Sequence, residues 1–135
     1  MHGIEYIAKN DKVFGILLKQ NFASEKKYNF LTPNECTIQL GSNFYKAGEK
    51  IRNHKHVPRN FKVDRLQEFI VINSGKCKIF MFDDDDQLIC ERIMEAGDSI
   101  LLTAGGHGFE VIEDLNIVEI KQGPFDPNFQ EKIFF

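Results

Sequence analysis

The chain has 135 residues, 42% of them apolar, and 17 basic against 20 acidic side chains for a net charge of −3. That length supports one buried core rather than two. The slightly acidic balance excludes the positive field that would hold nucleic acid or an anionic bilayer, so neither is expected as a partner. The longest apolar runs, 69–72 and 100–102, fall far below the roughly 20 residues of a spanning helix. The start MHGIEYIAKNDK lacks the basic and apolar regions of a secretory leader, so a single cytoplasmic domain is expected. Cys36, Cys77 and Cys90 are odd in number and widely spaced, which reads as reduced thiols rather than a disulfide framework or a thiolate zinc site.

Taken in chain order, apolar runs separated by turn residues at spacings of roughly 8 to 12 predict an all-β chain. Strands are expected over 13–19, 36–45, 50–56, 67–73, 76–82, 88–94, 99–103, 108–112 and 117–121. Asn73-Ser74-Gly75 and Asp114-Leu115-Asn116 supply residues that tolerate unusual backbone angles and are expected to be turns, and the run 83–86 a solvated hairpin tip. Glu68-Phe-Ile-Val-Ile and Ser99-Ile-Leu-Leu are apolar at consecutive positions, so each should be covered on both faces. The outer cover is expected from the N-terminal strand, a partner subunit or both, which makes a homodimer the expected assembly.

Apart from His2, the histidines are His54, His56 and His107. On a strand, residues two apart project from one face, so His54-Lys55-His56 sets two imidazoles side by side. An adjacent strand beginning at Glu68 would add a carboxylate, and His107, after Gly105-Gly106, would close the set from across a barrel. Three imidazoles and one carboxylate suit a single divalent ion of Fe, Mn, Zn, Ni, Co or Cu, with ligand type unable to choose among them. Positions left open on such an ion mark a catalytic rather than a structural site.

Gly48-x5-His54-x-His56 followed by Glu68-x6-Gly75 resembles the first motif of the cupins, and Gly97-Asp98-Ser99 leading to Gly105-Gly106-His107 resembles the second. The resemblance implies a single small jelly roll, or double-stranded β-helix, with its barrel core over about 36–121. It implies a metal on His54, His56, Glu68 and His107, and leaves strand 13–19 and tail 122–135 packed outside. Four features differ from the usual pattern, one being that His107 comes one residue early in the second motif. Eleven residues separate His56 from Glu68, forming an inserted loop over 57–67; Thr103 stands where proline is usual; and Val111 stands where asparagine is common.

Regular alternation over 50–56 would put Arg52 on the face of the two imidazoles, where a guanidinium clamps a carboxylate or phosphate; pairing with Glu68 is its other reading. The inserted loop carries Arg59, Lys62 and Arg65 beside Phe61 and reads either as a lid over an anionic ligand or as solvated charge. Phe109 shares the face of His107 and offers an aromatic wall or ordinary packing. The tail, with Phe129, Ile133, Phe134 and Phe135, is expected on the outside of the sheet or across a dimer interface. The implied function is a metal-dependent isomerase or epimerase acting on a small oxygenated anion, a sugar or sugar-nucleotide derivative, with Glu68 moving the proton. The pattern around Glu119-Ile-Lys-Gln-Gly-Pro-Phe is similar to small bacterial cupins of surface-polysaccharide pathways. An Fe(II) dioxygenase and a non-catalytic metal-assisted binding module are the alternatives.

Overall fold

The structure, a computed structural model, describes residues 2–135. Among them there is no helix, and so none long and apolar enough to cross a membrane. Six strands follow in order: β1 Ile4–Lys9, β2 Lys12–Leu18, β3 Glu68–Phe82, β4 Leu88–Glu95, β5 Ser99–Leu102 and β6 Gly106–Lys121. All pairings are antiparallel, along β1-β2-β5-β3-β4, with β6 on the other edge of β3. The sheet curls into a half-barrel. Arg92 of β4 reaches Glu5 of β1 with Nε at 3.0 Å from both carboxylate oxygens, tying the two ends of the strand order together.

The curl originates in β3 and β6. Ile72 and Cys77 are both buried in the interior although an odd number of positions separates them, which alternation forbids in a regular strand. Register shifts between Ile72 and Cys77 absorb the mismatch, with Gly75 at φ +87°. Asn73-Ser74-Gly75 and Asp114-Leu115-Asn116, expected as turns, are therefore the bulged bend of two long strands that run through them. The backbone freedom read from those residues is used, but to turn a ribbon rather than to reverse it.

β1 and β2 form a hairpin through Asn10 and Asp11, at φ 50° and 62°, the left-handed pair that matches strand twist. The N-terminal strand expected outside the barrel is thus β2, paired with β5 inside the sheet. Ile100 and Leu102 of β5 face the main core with Ile70, Ile79, Met81 and Met94, while Leu101 faces outward with Ile16. The outer cover is not the N-terminal strand. It is irregular chain between residues 22 and 40, which lays Phe22, Leu31, Ile38 and Leu40 over Ile16, Leu101 and Phe69. Gln67 fastens this cover, its Oε1 accepting from the backbone N–H of Thr37 and of Ile38, each at 3.0 Å.

Two expected strands do not form. Residues 36–45 are irregular apart from one bridge between Phe30 and Gly41. Residues 50–56 are irregular, exposed chain: Ile51 is their one large apolar side chain, and Lys50, Arg52, Lys55 and the imidazoles stay in water. The hairpin tip at 83–86 is present but is not simply solvated. Asp83 is buried, paired with Lys9, and accepts from the N–H of Asp85 at 3.0 Å and of Gln87 at 2.9 Å.

Candidate functional site at the mouth of the half-barrel

Residues in register across an antiparallel sheet share a face. Glu68 stands opposite Leu102 on one side and Lys121 on the other, and Met81 and Ile79, both buried, stand opposite His107 and Phe109. These polar and aromatic side chains therefore point into one end of the half-barrel. There they line a cavity of about 740 Å³ together with Arg65, Gly105, Gly106 and residues of the C-terminal tail. Gly105 makes the approach to His107 possible, since at φ +67° a Cβ would lie 2.1 Å from the Phe82 carbonyl oxygen.

In this cavity, His107 Nε2 lies 3.3 Å from Glu68 Oε2, with side chains 34% and 17% exposed. The hydrogen bond with His107 is the main cause that holds the Glu68 carboxyl down at about 2; partial burial opposes it, and a hydrogen bond with Glu119 and the Lys121 charge add to it. Glu119 moves the opposite way, upward, through its hydrogen bond with Glu68, its burial and the repulsion between the two carboxyls. Glu68 is thus the ionised member of the pair and Glu119 the one that takes a proton first.

The sign of the pH dependence follows. Glu68, depressed in the fold, contributes stability that is present above its unfolded value, roughly 4.3, and is lost as pH falls through about 2. Glu119, raised in the fold, costs stability while ionised, and that cost disappears as pH falls through its raised value. Glu119→Gln is expected to stabilise the protein at pH 7 by less than about 1 kcal/mol, a modest gain because the side chain is largely solvated. In thermal unfolding its advantage over the unaltered protein should shrink from pH 7 to pH 4; an advantage that grows on acidification would contradict the arrangement.

The remaining expected site residues divide. Phe109 lines the cavity, its ring 6.0 Å from that of His107, and Arg65 lines it while pairing with Asp84 at 3.0 Å. His54 and His56 lie elsewhere, on the exposed 50–56 segment, with ring centroids 5.3 Å apart and His54 Nδ1 2.8 Å from the Arg52 carbonyl. Arg52 and Arg59 lie on the same exposed stretch, Arg59 stacked 4.7 Å over Phe61, and neither lines the cavity. Among the described residues no three His, Cys, Asp or Glu side chains gather closely enough to hold an ion. As they stand, the four expected ligands form two pairs and do not enclose one metal.

Lys121, Glu119 and the tail were not anticipated at the site. The signal was present in the parity of β6: Lys121 and Glu119, two apart, share a face, and pairing with β3 turns that face inward. Residues 131–135 of the tail line the cavity.

No family model matches the chain, and no solved structure matches it. Among curated proteins it is similar to the pyruvate kinase of Methanocaldococcus jannaschii, 28% identical over 92 residues, which is 67% of this chain. The chain spans about a fifth of that protein's length, as the match covers 20% of it.

Proposed function

We propose that the chain is a cupin-type jelly roll whose mouth binds a small oxygenated anion, a sugar or sugar-nucleotide derivative, and moves a proton on it. The observation that carries this reading is the Glu68–His107 pair, set at 3.3 Å in the lining of the cavity beside the aromatic wall of Phe109. A carboxyl held at about 2 is a weak base near neutral pH. Within the pair, Glu68 therefore orients the imidazole, while His107 takes or gives the proton. Loss of either member is expected to lower the rate by roughly 10² to 10⁴. The check is deuterium incorporation from heavy water into a panel of sugar phosphates and nucleotide sugars. Unaltered protein should label at least one compound, and His107→Ala and Glu68→Gln should not. Binding of a compound without labelling would reduce the reading to a binding module.

A second reading adds a divalent ion held by His54, His56, Glu68 and His107. Its support is the side-by-side placement of the two imidazoles on irregular chain and the unpaired outer edge of β6, next to which such a segment can add as a strand. Twelve positions link His56 to Glu68, enough chain to span the mouth. When bound, such an ion would polarise a ligand oxygen. Elemental analysis decides: the reading expects about one equivalent of metal, lost in the His54→Ala, His56→Ala double variant, and fails if both proteins carry the same trace.

A further inference from the structure

A second ion pair occupies the mouth and takes no part in the proton transfer just described. Lys121 faces the interior opposite Glu68, and its Nζ lies 2.7 Å from Glu131 Oε1 and 3.7 Å from Glu119 Oε1. Lys121 and Glu131 are sheltered, with side chains 24% and 21% exposed, yet the tail that carries Glu131 is otherwise poorly buried, Ile133 being 91% and Phe134 82% exposed. The contacts of this tail with the sheet are the ion pair and one ring contact, Phe135, 65% exposed, meeting Phe82 edge-on at 5.1 Å between ring centroids. Gly106 makes room for that ring: a Cβ there would lie 2.7 Å from it.

We propose that Lys121 receives the anionic group of the ligand, and that Glu131 occupies it as a built-in competitor, so that the tail is a strap released when ligand binds. This rests on reading the mouth as a small-anion site. Asp83 and Asp84 of the hairpin tip do not compete for Lys121, because Asp83 is paired with Lys9 and Asp84 with Lys12 and Arg65. Arg65 is thereby paired at the hairpin tip, whereas the partner of Lys121 sits on the otherwise poorly buried segment 131–135. What Glu131 presents to Lys121 is a carboxylate, so a ligand carboxylate or phosphate exchanges with it like for like. The strap reduces apparent affinity by the fraction of molecules in which it is closed.

The test uses the full chain and two probes, inorganic phosphate and succinate, with binding followed by calorimetry; which probe binds distinguishes a phosphate from a carboxylate ligand. Glu131→Gln is expected to bind at least one probe roughly five- to tenfold tighter than the unaltered protein. Gly106→Ala, which displaces Phe135 without altering charge, should change affinity in the same direction. Lys121→Gln should weaken binding by tenfold or more. In the unaltered protein the probe should also speed tryptic cleavage after Lys132. Equal affinity in Glu131→Gln and unaltered protein, tighter binding in Lys121→Gln, or no binding of either probe to Glu131→Gln would overturn the proposal. Deuterium labelling reads the proton-transfer proposal separately: if it fails while the Glu131→Gln effect holds, the strap stands and the catalysis falls.

Discussion

Gly75→Ala is expected to destabilise the protein by about 3 to 4 kcal/mol, measured by denaturant unfolding. Two costs combine. The position has φ +87°, where a side chain costs about 1 to 2 kcal/mol by itself. A Cβ there would also lie 2.0 Å from the Asp114 carbonyl oxygen, so β6 must shift away from β3 at the bend. That bend restores the inward parity of Cys77, Ile79 and Met81 beyond Ile72, and with it the placement of His107 opposite Met81. The variant should therefore lose affinity at the mouth as well as stability. Gly108→Ala is the control: a Cβ at Gly108 meets nothing within 4 Å and its φ is not left-handed, so a change within about 0.5 kcal/mol is expected. Comparable losses in the two variants would show that the bend carries no special strain.

Asp98→Ala is expected to cost about 3 to 5 kcal/mol, on the order of half the stability of a small domain. Asp98 is fully buried at the β4–β5 connection. Its carboxylate accepts from the Gln20 N–H at 2.8 Å, from the Glu95 N–H at 3.0 Å and from Lys19 Nζ. Truncation leaves two backbone donors without partners, a larger loss than the ion pair alone, because Lys19 can turn to water. Asp98→Asn, which keeps the shape and one acceptor, should lose about half as much. A loss under about 1 kcal/mol for Asp98→Ala would mean that the connection is held by the surrounding apolar contacts instead. The effect reaches the site through β5, whose Leu102 stands in register with Glu68.

The legibility of the chain follows from how locally each feature is encoded. β2, β4 and β5 were readable to within a residue or so because each is a short apolar run closed by turn residues. β3 and β6 read as four strands because a bulge and a turn demand the same residues, and only the partner strand shows which is present. β1 is not legible although Asn10-Asp11 is a hairpin signal, since the apolar positions of Ile4–Lys9 (4, 6, 7 and 8) do not alternate strictly. The outer cover escaped because nothing periodic marks Leu31, Ile38 and Leu40; their place is set by β2 and β5.

At the site, Glu68 and His107 were legible through their flanking glycines, and the structure brings them together. His54 and His56 were read as one face of a strand, yet side-by-side imidazoles need no strand, and this segment lacks the apolar alternation that would bind it to a sheet. Lys121 and Glu131 were illegible for the opposite reason: a lysine and a glutamate ten positions apart carry no pattern, and only the fold sets them 2.7 Å apart.

The pairing of Glu68 with His107 positions the imidazole at the mouth, and imidazole ¹⁵N spectra of Glu68→Gln read that pairing directly. Removing the carboxylate charge should move the ring nitrogens of His107 and leave those of His2, His54 and His56 in place. An unchanged His107 would contradict the account, because its imidazole would then have no carboxylate beside it to orient it at the mouth.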